Sequence, residues 1–176
     1  KYIMSFCLVE EDKSYKKFIL STLININFLY ETYNICIACS DDTKNYISNF
    51  PIYYKGNIKW LILENLDENN IRYGKNILYS IKECIKFFNN ALYIDCRIDL
   101  IDKLHINDDI KRQEIGFVSR KVNYMKDNNY QKYITNIFYI SNIKFIDTIE
   151  DLFNKNIEEW KNFNYTNYEI DELKKI

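Results

Sequence analysis

Glycine is nearly missing from this chain: there are three in 176 residues, Gly56, Gly74 and Gly116. They stand too far apart for a GxGxxG fingerprint or a Walker loop, so the usual glycine-rich cradles for dinucleotides and triphosphates are excluded. Residues 1–55 contain none, which also argues against nucleotidyltransferase and methyltransferase sheets, where glycines follow the first strand. Histidine occurs once, at His105. It disfavours a His-based zinc site, and without a GxSxG elbow it reads as a surface residue rather than part of a nucleophilic triad. Two methionines cannot line a Met-rich groove. Neither sign of charge dominates: 24 Lys and Arg stand against 25 Asp and Glu, a net charge of −1. No global positive field exists to hold nucleic acid. Long apolar runs are missing as well. The longest uncharged stretch, Phe18 to Tyr30, is thirteen residues and includes Ser21, Thr22, Asn25 and Asn27. A bilayer span needs about 20 apolar residues, so no membrane insertion is expected, and no signal-peptide layout precedes the stretch.

What is present is a globular composition, 47% hydrophobic and 28% charged, which is incompatible with disorder. The length predicts a single domain over residues 1–176, and the non-Met start suggests a piece of a longer protein. Asn, Ile, Lys and Tyr make up half of the chain, while Ala occurs twice. AT-rich codons supply this bias, so the abundance of asparagine, lysine or tyrosine carries no argument. Five cysteines (7, 36, 39, 84 and 96) are odd in number and irregular in spacing. They read as reduced thiols of a cytoplasmic protein. Cys36 and Cys39 form a CxxC, but inside an apolar strand they point to opposite faces, as buried thiols rather than a redox pair.

Hydrophobic periodicity predicts alternating strands and helices. Tyr2 to Val9 reads as a buried strand broken by Glu10-Glu11-Asp12-Lys13. Asp12 or Ser14 can cap a helix whose apolar face is Phe18, Ile19, Thr22, Leu23, Ile26, Leu29 and Tyr30. A strand over Tyr33–Ser40 and a short helix over Asp42–Asn49 follow, the helix stopping before Pro51. A third strand is expected at Ile58–Leu63 and a polar loop at Glu64–Asn70. The clearest helix carries Ile77, Leu78, Ile81, Cys84, Ile85 and Phe88 on one face and ends at Asn89-Asn90. The strand Ala91–Ile94 then runs into Asp95. This alternation is that of an α/β fold with a mostly parallel, Rossmann-like, doubly wound sheet. Such sheets bind ligands at the carboxyl ends of their strands, which selects the loops after Val9, Ser40 and Ile94. Beyond Leu104 the pattern is less regular, with strands at Ile115–Val118 and Tyr133–Ile140 and a helix through Ile146, Ile149, Phe153, Ile157 and Trp160.

The segment Asn89 to Leu100, with Leu92-Tyr93-Ile94-Asp95-Cys96-Arg97 at its centre, resembles the strand that carries the DxD motif in GT-A nucleotide-sugar glycosyltransferases. Ile3–Val9 and Cys36–Asp42 resemble the family's first two nucleotide-binding strands. Arg72-Tyr73-Gly74-Lys75 resembles the basic entry to the helix before DxD. Ile115-Gly116-Phe117 and Asn136–Asn142 resemble later segments of glycogenin-like members, so the likeness spans roughly residues 2 to 155. It implies a GT-A fold and transfer of a sugar from a nucleotide-sugar donor, a UDP-sugar first among them, to an acceptor. It further implies backbone contacts from Phe6, Cys7 and Leu8 to the donor, a nucleoside contact from Asp41, phosphate contacts from Arg72 and Lys75, and a metal or ribose contact from Asp95. In the family two carboxylates hold Mn²⁺ or Mg²⁺ on the diphosphate, whose growing charge must be neutralised. Here the last Asp of the motif is Arg97. Three readings follow: Arg97 takes the place of the metal, Asp99 or Asp102 supplies the second ligand, or catalysis is lost. The last would leave a binding or scaffolding module on a glycosyltransferase fold.

Overall fold

A computed structural model describes residues 2–64, 75–106, 108–123 and 131–155. Its strands are β1 (Ser5–Val9), β2 (Asn34–Cys39), β3 (Asn57–Ile62), β4 (Ala91–Ile94), β5 (Ile115–Asn123) and β6 (Gln131–Ile140). Its helices are α1 (Lys16–Leu29), entered through a 3₁₀ turn at Lys13–Tyr15, then α2 (Asp41–Ser48), α3 (Lys75–Phe88), α4 (Asp108–Gln113) and α5 (Ile143–Lys155). The predicted strand at 91–94 and the helix ending at Asn89 stand as read. Asn89 takes the left-handed conformation at φ 64°, and its N–H bonds to the Ile85 carbonyl at 2.7 Å. Asp12, not Ser14, caps the first turn, accepting from the Ser14 N–H at 2.7 Å. Both strands of the C-terminal pair are longer than their apolar runs indicate. Arg72, most of the loop at Glu64–Asn70, and the helix positions Ile157 and Trp160 lie outside the described residues.

The strands form one sheet in the order β3-β2-β1-β4-β6-β5. The first four are parallel, while β6 runs antiparallel to both β4 and β5. The fold is therefore α/β with a mixed, mostly parallel sheet. Successive residues of β1 alternate between two cores, as the strand repeat requires. Phe6 and Leu8 pack with Ile19, Leu23 and Ile26 of α1 and Ile47 of α2. Cys7 and Val9 pack with Ile81, Cys84 and Ile85 of α3 and Ile146 of α5. Helices thus cover both faces, and every residue of β1 and β2 is buried, which explains why these strands read as continuous apolar runs rather than alternating ones. Cys36 lies in the second core and Cys39 in the first. The CxxC is split across the sheet, and all five thiols are free and buried.

The amino-terminal edge of the parallel strands is closed by a side-chain ladder. Asn57 Nδ2 donates to Asn34 Oδ1 at 3.1 Å, Asn34 Nδ2 to Ser5 Oγ at 3.3 Å, and the Ser5 N–H to Asn90 Oδ1 at 3.0 Å. Gly56 lets β3 enter that edge against the Tyr33 ring, because a Cβ at this position falls inside van der Waals contact with ring carbons Cε2, Cδ2 and Cζ. Tyr33 is 1% exposed and cannot swing away. Gly56→Ala is expected to destabilise the fold by about 1–3 kcal/mol, the usual cost of overpacking. Urea unfolding monitored by circular dichroism measures it, and an unchanged midpoint would show that Tyr33 has room to move.

Candidate active site

Beginning from β1, the chain steps right to β4 and left to β2. The carboxyl ends of β1 and β4 therefore flank the topological switch point, where doubly wound sheets form their ligand crevice. The residues that follow these strands are Glu10 and Glu11 after β1, and Asp95, Cys96 and Arg97 after β4.

Glu10 is structural. It is 1% exposed, and its carboxylate accepts from the Ser40 N–H at 2.6 Å, the Ser40 hydroxyl at 2.8 Å and the Thr43 hydroxyl at 2.6 Å. Ser40 is itself the N-cap of α2, so Glu10 ties the end of β1 to a helix start, where unpaired N–H groups and the helix dipole favour a negative charge.

Glu11, Tyr93, Asp95, Arg97 and Tyr15 form the cluster at the switch point. Arg97 folds back on Asp95 through three hydrogen bonds. Its backbone N–H and Nε each donate to Oδ1 at 3.0 Å, and Nη2 donates to Oδ2 at 2.5 Å. The Asp95 side chain is 8% exposed and that of Arg97 is 56% exposed. The guanidinium carbon lies 5.4 Å from the centre of the Tyr15 ring, a cation–π distance. Asp95 holds the Arg97 proton far more tightly than an isolated guanidinium would. The backbone beneath is fixed by the Thr22 hydroxyl, which donates to the Cys96 carbonyl at 3.2 Å, and by burial of Cys96 and Leu100 in the first core. The buried Tyr93 hydroxyl donates to Glu11 Oε1 at 2.7 Å, and its ring packs on Phe138 at a tilt of 32° with centroids 4.8 Å apart.

Burial raises the Glu11 carboxyl above the usual carboxylate range, against the pull of the Tyr93 hydrogen bond; Asp95 raises it further and Arg97 opposes. Because the folded state then binds the proton more tightly than the unfolded state, the stability linked to this group is complete at low pH. It is lost as pH rises through the elevated folded-state value. Glu11→Gln, which keeps an acceptor for Tyr93, is expected to melt higher than the parent protein at pH 7. The difference should shrink as pH falls through the elevated folded-state value toward the ordinary carboxylate one, and melting curves at pH 7 and pH 4 read both arms. A difference that grows on acidification would contradict the burial argument.

The remaining sequence-predicted residues are scattered. Phe6, Cys7 and Leu8 are 0% exposed. Their backbone lies in the interior of a strand paired with β2 on one side and β4 on the other. Of this segment, it is the loop following Val9 that reaches the switch point. Asp41 is exposed in the first turn of α2, two strands from β4. Lys75 is exposed at the start of α3, which crosses back over the parallel strands and so begins at their carboxyl edge. Asp99 and Asp102 are exposed, and neither joins the Asp95 pair. His105 is exposed as expected. Glu10, Glu11, Tyr15 and Tyr93 are the residues that sequence reasoning missed. The signal for the glutamates was their position directly after a buried central strand. For Tyr93 it was its place on β4, two residues before Asp95.

A divalent cation of the DxD type needs carboxylate oxygens that no other cation occupies. Both oxygens of Asp95 accept from Arg97, and among the described residues no group of three or more His, Cys, Asp or Glu side chains is placed to share an ion. The donor set does not fit the implied metal. No helix among the described residues is long and apolar enough to cross a membrane.

No protein-family model and no curated protein matches the sequence. The fold is similar to that of the glycosyltransferase GlyE in Streptococcus pneumoniae TIGR4, with a TM-score of 0.56 and 14% identity. The likeness covers 93% of this chain and 41% of GlyE, so the chain spans less than half of that protein's length. At this identity the likeness is one of fold alone, an α/β architecture with a mixed, mostly parallel sheet.

Proposed function

We propose that this chain binds a nucleotide-sugar, a UDP-sugar first among the candidates, in the crevice between the carboxyl ends of β1 and β4, and transfers the sugar to an acceptor. The observation that carries this reading is the fixed Asp95–Arg97 pair at the switch point of a sheet whose fold resembles a glycosyltransferase. In the transfer, the bond from the anomeric carbon to the diphosphate oxygen breaks, a bond to an acceptor hydroxyl oxygen forms, and the hydroxyl proton passes to solvent. Negative charge grows on the departing diphosphate, and a preorganised cation at that point lowers the barrier. Arg97 is such a cation, oriented before the donor arrives. Asp41 and Lys75, in the first turns of α2 and α3 at the carboxyl edge, are proposed to flank the nucleoside and phosphates. Arg72 belongs to the same proposal by its place in the sequence.

Incubation of the folded protein with UDP-glucose, UDP-galactose, UDP-N-acetylglucosamine and GDP-mannose tests the reading. Release of nucleoside diphosphate from one of them, reduced in Arg97→Ala, is the expected result. Water replaces the acceptor in this assay, so slow turnover is sufficient. A second reading is favoured by the 41% coverage of GlyE: a donor-binding module that relies on another domain for catalysis. It predicts nucleotide binding without release. Neither binding nor release from any donor would contradict both.

A further inference from the structure

We infer that the switch-point site holds a nucleoside diphosphate by the Arg97 guanidinium alone, with no divalent cation between protein and phosphates. This rests on the donor-binding reading above and specifies how that site works. Asp95 engages the backbone N–H, Nε and Nη2 of Arg97, which leaves the Nη1 edge of the guanidinium and the second Nη2 hydrogen unbonded by Asp95. The side chain is 56% exposed, with Tyr15 on one face and Asp95 on one edge, so its remaining donors point outward in a fixed plane. Planar paired donors match two phosphate oxygens, and a guanidinium keeps its charge at any physiological pH.

A divalent ion entering on Asp95 would have to displace three hydrogen bonds and then sit against the guanidinium, like charge beside like. Glu11 completes the match. One of its oxygens accepts from Tyr93, and no hydrogen bond to the other is present among the described residues. A free carboxylate oxygen beside an outward guanidinium suits a ligand that is hydroxylic at one end and anionic at the other. A ribose diphosphate has that order of groups: hydroxyls that donate to Glu11, and phosphate oxygens that accept from Arg97. A neutral sugar has no charge for Arg97, and an anion without hydroxyls has no donor for Glu11.

Isothermal titration of UDP, GDP and CDP into the full chain tests this, once in excess EDTA and once with Mn²⁺. The expected result is binding of at least one nucleotide in EDTA, with affinity within about twofold of that in Mn²⁺. Arg97→Ala should weaken it by at least about tenfold, the size of a lost charge-assisted pair, and Arg97→Lys, which keeps the charge without the fork, should fall between. Because Arg97→Ala leaves Asp95 as a lone buried carboxylate, the double variant Asp95→Asn with Arg97→Ala is titrated beside it. It should fold and show the same loss. Binding that appears only with Mn²⁺, or survives unchanged in both Arg97→Ala proteins, would overturn the inference while leaving the donor site standing. No binding of any nucleotide in either buffer would overturn the donor site itself.

Discussion

Glu10→Ala is expected to lower the thermal unfolding midpoint by roughly 6–12 °C. The carboxylate serves three donors at once, the Ser40 N–H, the Ser40 hydroxyl and the Thr43 hydroxyl, in a place where Glu10 and Thr43 are each 1% exposed. Truncation strands the Thr43 hydroxyl without a partner and removes the charge that faces the start of α2. An unsatisfied buried donor costs about 1–3 kcal/mol, with the lost charge-assisted bonds in addition, so a total near 3 kcal/mol is expected. At about 2–4 °C per kcal/mol for a chain of this size, that gives the stated fall. Glu10→Gln should lose less, since one acceptor oxygen survives while the amide's own donors meet the donors of Ser40. Circular dichroism melts of the three proteins check the order parent, Gln, Ala. A change of less than about 2 °C for Ala would mean that Glu10 does not fix α2 to β1.

Phe6→Ala should be about as damaging, by a different route. Phe6 is 0% exposed and meets two rings edge to face, Tyr30 with centroids 4.9 Å apart and Tyr33 at 6.3 Å. It sits on the central strand, with Ile19 and Leu23 of α1 in the same core. The backbone on both sides is held by paired strands and cannot collapse into the vacated space, so the cavity persists. Phe→Ala at such sites costs about 3–5 kcal/mol. Chemical denaturation should show a lower midpoint with little change in slope. A midpoint unchanged from the parent protein would contradict this packing.

The parallel half of the sheet was legible because burial on both faces writes itself into consecutive residues. Residues 6–9, 35–39 and 91–94 are apolar without alternation, and a turn signal or charge closes each. The placement of β6 between β4 and β5 was not legible, since pairings such as Leu92 with Tyr139 join residues far apart in sequence and leave no local mark. Discounting asparagine under the codon bias hid a real device. Asn34, Asn57 and Asn90 close one edge of the sheet, and Asn27 accepts from the Tyr33 hydroxyl at 2.9 Å and from the Lys55 N–H at 2.9 Å. The site was legible as a location but not as a set of contacts. The loops after β1 and β4 followed from strand order and the switch-point rule. The embrace of Arg97 by Asp95 depends on a turn, in which the Ile98 N–H bonds to the Asp95 carbonyl at 3.0 Å, that no periodicity encodes. Glu10 and Glu11 looked like a charged strand break. That one of them is buried under α2 and the other faces Tyr93 follows only from the packing of elements 30 and 82 residues away in sequence.

Hydrogen exchange of the full chain with and without saturating nucleoside diphosphate tests the central claim, that the ligand crevice lies between the carboxyl ends of β1 and β4. Slowed exchange is expected chiefly at Glu10 to Tyr15 and at Asp95 to Leu100, with lesser slowing at the starts of α2 and α3, and with the ladder of Asn34, Asn57 and Asn90 at the opposite edge unchanged. Protection that leaves both stretches untouched and appears instead along β5 and β6, or at that opposite edge, would contradict it.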